Sequence, residues 1–557
     1  MGIPELIHFF DLEKIYKPLF LLFLCINIQA ATFGQAKKFV VFLHNKAGGN
    51  PYILSNPGEY LSQRSIQRRQ TQNLTLDSTD LPVTPAYLTA IRNLGAKVLY
   101  PMKWINAAIV ECVPETLSAI NQLPFVLSSS PLNSKMPKSV VERNRSQGTQ
   151  TLDYGPSANQ NIQLGIDSMH AWGFHGEGKL IAVMDGGFQN VNQHTAFQHL
   201  FANQRITGTR DIVAADGDVY QDHWHGAAVL GNIAAYAPGQ VIGGAYNANY
   251  FLIRSEDVDS ENEIECAYWV VGLELADSVG ADLVNSSLGY TTFDVSSLSY
   301  TYNSLNGITS IASRSAKLAG GKGMLVLTSA GNEGNNSSWG GWISVPADAE
   351  NILSVGSVSG AGTYSSFSGR GPTADGRTKP DIVAQGESVV FPNVFASSGI
   401  TTNSGTSFSC PLICGMAAGI WQAHPEKSAL EILNLLKNSG SNRDNPNNQI
   451  GWGIPTFVKA HILAGARPVL SFPFDVRVFP NPARERVLTL DLLESNSVGP
   501  AVCAVFDARG SKVFESDLTF DLVHQKQNVV LPGLPAGLYQ LQIEMGGKSF
   551  QRKIILH

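Results

Sequence analysis

Apolar positions along this chain fall into three different rhythms, and each rhythm predicts a different kind of unit. From Lys38 to Leu127 short apolar runs alternate with helix-like stretches: strands at Lys38–Leu43, Lys97–Tyr100, Ala107–Val113 and Phe125–Leu127, helices at Pro85–Leu94 and Pro114–Leu123. That pattern predicts a small α+β sandwich. From about residue 151 the runs become continuous, as in Lys179-Leu180-Ile181-Ala182-Val183-Met184, which is how a parallel strand buried on both faces reads. After Arg467-Pro468 the pattern changes to short alternating strands separated by turn residues, which predicts a small β-sandwich from about Phe472.

Several of the continuous runs end in residues that carry chemistry. Met184 is followed by Asp185-Gly186-Gly187, a carboxylate at the carboxyl edge of a strand, where open α/β sheets bind their ligands. His225 stands immediately before the small-residue stretch Gly226-Ala227-Ala228-Val229-Leu230-Gly231, and small residues let a helix pack close to its neighbours. Ser407 opens the uncharged run Ser407–Gly419, a helix expected to be buried all round, with its dipole and free N–H groups favouring a developing anion at Ser407. Pro411 is expected close to the helix start, where its missing N–H does no harm. Taken singly these are a strand terminus, a capping histidine and an N-cap. Together they meet the needs of acyl transfer: a nucleophilic hydroxyl, an imidazole base and a carboxylate that orients it. Their order, Asp then His then Ser, and the lack of a G-x-S-x-G turn at Ser407 disfavour an esterase or lipase.

On these blocks the chain, from about Asp153 to about Leu463, resembles the subtilisin-like serine peptidases, or subtilases. A fourth block, Met324 to Gly334, sets Asn332 between glycines after a strand. The resemblance implies that Asn332 and the backbone N–H of Ser407 bind the oxyanion. It further implies a substrate strand at Ser287, Leu288 and Gly289, with Ser329, Ala330 and Gly331 as the opposite wall of the first specificity pocket. Protein or peptide substrates follow, with no cofactor needed for chemistry. Structural calcium is a family expectation for which the sequence names no ligands. Three positions depart from the family pattern: Gly186 replaces the usual Thr or Ser, Ala227 the usual Thr, and Ala228 a second His. They leave open a competing reading, a weak or inactive surface protein of the same fold that binds peptide-like partners. His223 is expected at the rim or in the core.

Composition narrows the rest. With 557 residues, 43% hydrophobic and 15% charged, the chain is long enough for three or four folded units. A net charge of −6, no long Lys/Arg cluster and no phosphate-cradling motif argue against a nucleic-acid partner. Lys14 and Lys17, apolar Leu19 to Ile28 and the small residues to Ala36 have the layout of a signal peptide, residues 1–36; the apolar run is too short for a transmembrane anchor. Five cysteines remain after it, an odd number without the spacing of a disulfide framework. Residues 37–150 resemble a subtilase propeptide with an exposed linker, 151–466 the catalytic domain, and 472–557 the C-terminal sorting domain of type IX secretion substrates. The last resemblance is carried by Phe479-Pro480-Asn481-Pro482, Phe506–Gly510 and Leu534–Tyr539. Type IX secretion machinery is then an expected partner and a secreted or cell-surface monomer the expected product.

Overall fold

The computed structural model describes residues 35–132, 152–258, 260–465, 476–492, 499–520, 526–531, 533–545 and 548–557. The signal-peptide reading and most of the linker reading fall outside them.

One compact unit comprises residues up to 54 together with 77–133. Its antiparallel sheet runs in the order β2 (Lys97–Met102), β3 (Ala107–Cys112), β1 (Lys37–Leu43), β4 (Val126–Leu132). Phe39, Val41, Ala108 and Val110 alternate into a core with Leu88 and Ile91 of the helix Pro85–Asn93. The second helix, Pro114–Ile120, stops short of the expected Leu123.

The intervening residues 55–76 belong to the second unit. They carry helix Gln63–Thr71, which no apolar periodicity announces, because its buried residues are Ser65, Arg68 and Arg69. Both guanidinium groups pair with the fully buried Asp277, Arg69 Nη2 at 2.9 Å and Arg68 Nη2 in a short contact. Arg68 also donates to the carbonyl of Ala281. Its cation is thus satisfied inside the fold, as a buried charge must be.

The seven-stranded sheet of this unit is parallel throughout, in the order β11 (Ile382–Gln385), β10 (Leu353–Val358), β9 (Leu325–Ser329), β8 (Leu283–Ser286), β5 (Leu180–Asp185), β7 (Asn249–Arg254), β6 (Ile206–Asp211). Every residue of β5, β8, β9, β10 and β11 is buried, as the continuous apolar runs require. β5 is flanked by β7 on one side and β8 on the other, so the chain changes direction around it. The carboxyl end of β5 is therefore a topological switch point, where α/β sheets open a crevice. Two helices reach this edge: α4 (His225–Ala234) and α7 (Thr406–Ala423). Sixteen consecutive residues of α7, Thr406 to Trp421, are buried, in agreement with its uncharged sequence.

At the C-terminus two antiparallel sheets share one core. The first joins Val476–Phe479, Val487–Leu492 and Lys526–Val530; the second joins Lys512–Phe520, Gly499–Phe506, Gly537–Met545 and Lys548–Leu556. Leu488 and Leu490 of one sheet meet Cys503, Val505, Leu541 and Ile543 in a single apolar cluster, so this is a sandwich. The strand Lys526–Val530 was not legible in the alternation. Among the described residues no helix is long and apolar enough to cross a membrane, and Cys112, Cys266, Cys410, Cys414 and Cys503 are all buried free thiols.

Candidate active site

Asp185 is the last residue of β5 and is fully buried. His225 is the first residue of α4, and its Nδ1 lies 2.8 Å from Asp185 Oδ1. The N–H of Gly186 donates to the same oxygen at 2.8 Å, while Asp185 Oδ2 is buried without a partner. Burial works against the imidazolium, but the charge of Asp185 and its hydrogen bond outweigh it, and the His225 pKa is raised above 6.5. A histidine held in this way carries its Nδ1 proton toward the carboxylate and leaves Nε2 to exchange protons with a neighbour.

Two glycines make the approach possible. A Cβ on Gly226 would sit 2.7 Å from Asp185 Cβ and closer still to the carbonyl oxygen of Gly187. A Cβ on Gly186 would meet Val258 Cγ1 at 2.5 Å. The hydroxyl missing at residue 186 is thus matched by a neighbour that leaves it no room. His223 is partly exposed and accepts the His225 N–H on Nδ1 at 3.4 Å, which places it beside the His225 backbone at the rim.

Ser407 is the second residue of α7, behind the N-cap Gly405. Its N–H is one of the first four of the helix and has no acceptor within it. The imidazole of His225 packs against the next residue, Phe408, with ring centroids 5.8 Å apart. Ser407 Oγ donates to the carbonyl of Ser287 at 3.2 Å, and Ser287 Oγ donates back to the carbonyl of Ser407 at 2.9 Å. This reciprocal pair explains Pro411, which lies six residues into α7 rather than in its first turn. Residue 411 would ordinarily donate to the carbonyl of Ser407, four residues earlier; proline has no N–H, and Ser287 takes the place.

Asn332 follows β9, and its Oδ1 accepts both the N–H of Thr406 at 2.9 Å and the Thr406 hydroxyl at 3.0 Å. The carboxamide oxygen is thereby fixed on α7, and the Nδ2 hydrogens remain for another acceptor. Thr406 is a positioning residue that the sequence reading passed over; its place next to Ser407 in the Gly405-Thr406-Ser407 block was the available signal. Ser329 Oγ donates to the carbonyl of Leu288 at 3.4 Å, which ties the Ser287–Gly289 segment to the Ser329–Gly331 segment. Ser344 backs both segments: a Cβ on Gly289 or Gly331 would strike its side chain, and Gly331 also needs its φ of +92°.

A second acidic group lies beside the same edge. Ser255, just beyond β7, donates its N–H to the carbonyl of Asp185 at 3.0 Å, and Glu256 follows. Burial first, then the charge of Glu261, pushes Glu256 well above the usual carboxylate range. Burial and Glu256 push Glu265 up to about 10, and burial with Asp294 and Glu333 pushes Glu261 up to about 7. Nothing in the local sequence marked these three as a group.

A buried carboxylate paired with an imidazole, and a hydroxyl at a helix N-terminus, thus stand at the edge where the parallel sheet opens. Comparison with known proteins specifies the site further. Residues 176–453 match the subtilase family, residues 38–149 the peptidase S8 propeptide domain of Bacteroidota, and residues 477–557 the secretion system C-terminal sorting domain. The chain is 29% identical to serine protease AprX of Bacillus subtilis over 47% of its own length and 61% of that protein. It is 26% identical to subtilisin E of the same species, over 63% of this chain and 80% of the relative. Among solved structures, the MycP3 protease from the type VII (ESX-3) secretion system aligns at 21% identity with a TM-score of 0.44, over 56% of this chain and 89% of that one. Residues 176–453 therefore belong to the subtilase family and form a subtilisin-like serine endopeptidase domain, made behind a propeptide. The sorting domain marks the chain for type IX secretion in Bacteroidota, with a secreted or cell-surface destination.

Proposed function

We propose that the protein is a secreted endopeptidase that cleaves peptide bonds through Asp185, His225 and Ser407. Ser407 attacks the scissile carbonyl; its hydroxyl turns from the Ser287 carbonyl toward His225 Nε2, which takes the proton as general base. Asp185 keeps the imidazole in the Nδ1–H tautomer and stabilises the cation formed. Asn332 Nδ2 and the Ser407 N–H receive the oxyanion, and His225 then returns its proton to the leaving amine, leaving an acyl-enzyme for water to hydrolyse. Substrate lies as an extended strand between Ser287–Gly289 and Ser329–Gly331, held by main-chain hydrogen bonds. The observation that carries this reading is the 2.8 Å contact of His225 Nδ1 with a fully buried Asp185 at the carboxyl edge of the sheet. It also weighs against the inactive alternative, because the departures at Gly186 and Ala227 leave the Asp185–His225 contact in place. A monomer in which residues 1–36 act as signal, 37–150 as propeptide, 151–466 as catalytic domain and 472–557 as sorting domain completes the proposal.

The test is labelling with a fluorophosphonate probe. Matured wild type is expected to be labelled and to cleave peptides, and Ser407→Ala to do neither and to accumulate as precursor if maturation is autocatalytic. A matured wild type that resists the probe would overturn the catalytic reading.

A further inference from the structure

Where β7 leaves the sheet, the chain turns through Ser255 and Glu256 and enters helix α5 (Glu263–Val279) by way of Glu261 and the N-cap Asn262. Glu256, Glu261 and Glu265 each bring a carboxylate oxygen within 4.8 Å of the other two. Oxygens that share one calcium ion sit 2.3–2.6 Å from it, so no two of them are more than about 5 Å apart. The cluster has the spacing of a single ion.

A second observation separates this group from an ordinary acidic patch. Glu265 is fully buried, and its two oxygens differ: Oε2 accepts the Asn262 N–H at 2.9 Å in the capping box, whereas Oε1 is buried with no hydrogen-bond partner. An unpaired buried carboxylate oxygen costs several kcal/mol unless a cation or donor reaches it. Tyr290 donates its hydroxyl to Glu256 Oε2 at 3.0 Å, so with the Asn262 N–H two donors serve three carboxyl groups among the described residues. The remaining charges that act most strongly on the three, Asp185, Asp257, Asp294 and Glu333, are again carboxylates. A side chain of a passing substrate would have to reach an oxygen sealed from solvent, whereas a small resident ion enters past the exposed Glu261.

We propose that Glu256, Glu261 and Glu265 bind one calcium ion, resident in the protein and separate from the reacting groups. The ion would clamp the turn behind the site. That turn holds the carbonyl of Asp185 through Ser255 N–H, carries the Val258 that fills the space beside Gly186, and through Glu256 grips Tyr290, the residue after Gly289. The bound ion therefore braces the orienting carboxylate and the substrate segment together.

Terbium substitutes for calcium and is excited through a nearby tyrosine, here Tyr290, so its luminescence reads this site directly. With matured full-length protein, sensitised terbium emission is expected from wild type, displaced by calcium, and calcium is expected to raise the melting temperature relative to a chelator. Glu261→Gln, at an exposed position where the fold is not at risk, should weaken calcium binding at least about tenfold and remove most of the terbium signal. Glu256→Gln should do the same while keeping the Tyr290 contact. Unchanged terbium binding and melting shift in both variants would refute the site. So would wild type that binds no terbium but prefers Lys- or Arg-containing peptides in a manner abolished by Glu261→Gln, since the cation would then come from substrate.

Discussion

Gly226→Ala asks whether the closeness of α4 to the end of β5 is what makes His225 competent. The added Cβ would lie 2.7 Å from Asp185 Cβ, with the Gly187 carbonyl closer still. Carbon atoms settle at about 3.5–4.0 Å, so His225 and Asp185 must part by about 1 Å. Their hydrogen bond starts at 2.8 Å and would no longer be one. Misplacing a catalytic group by about 1 Å costs roughly a hundredfold in rate, and overpacking a filled site costs about 1–3 kcal/mol of stability. The assay is kcat/KM on a chromogenic peptide, with the second-order rate of fluorophosphonate labelling, on protein matured by an added protease and checked for native circular dichroism. Both rates should fall by about two powers of ten together, since both depend on the same base. A folded Gly226→Ala enzyme within about threefold of wild type would refute the reasoning, because the pair would then tolerate a gap the geometry says it cannot.

Further outcomes are expected. Asn332→Ala should lower kcat by about 10²–10³ with little change in KM, and Thr406→Val, which removes one of the two donors that fix Asn332 Oδ1, should show a smaller loss of the same kind in steady-state kinetics. The rising limb of the kcat/KM profile should lie above pH 6.5, because Asp185 raises the His225 pKa; in Asp185→Asn, where burial acts alone, it should move below 6.5 while kcat falls about 10⁴-fold. Burial opposes the ionisation of Asp381, but Lys379 and Lys437 outweigh it and hold its pKa at about 2 against an ordinary 3.8. A depressed carboxylate stabilises the fold above its unfolded pKa and loses that contribution as pH falls toward 2. Lys437→Met should therefore raise the acid-unfolding midpoint and remove part of about 2 kcal/mol, read by fluorescence during acid titration.

What the sequence determined by itself is whatever local pattern encodes. Continuous apolar runs specified strands buried on both faces, alternation specified the C-terminal sandwich, and an uncharged small-residue run specified the buried helix behind Ser407. Asp185 and His225 were legible because each stands at the boundary of such a run, where polarity changes abruptly. Tertiary structure decided the rest, because the partners lie far apart along the chain. Helix Gln63–Thr71 escaped notice because buried arginines look like surface ones until Asp277, some two hundred residues away, is beside them. Pro411 was read as a helix-start residue, and only the arrival of Ser287 at the Ser407 carbonyl shows why a donor is missing there. Gly186 looked like a lost hydroxyl until Val258 filled the space. Glu256, Glu261 and Glu265 are ordinary in sequence; a turn and the first turn of a helix bring their oxygens within 4.8 Å. Burial preference is a property of each residue and its neighbours in sequence, whereas charge pairing, steric exclusion and ion coordination are properties of atoms that only the folded chain brings into contact.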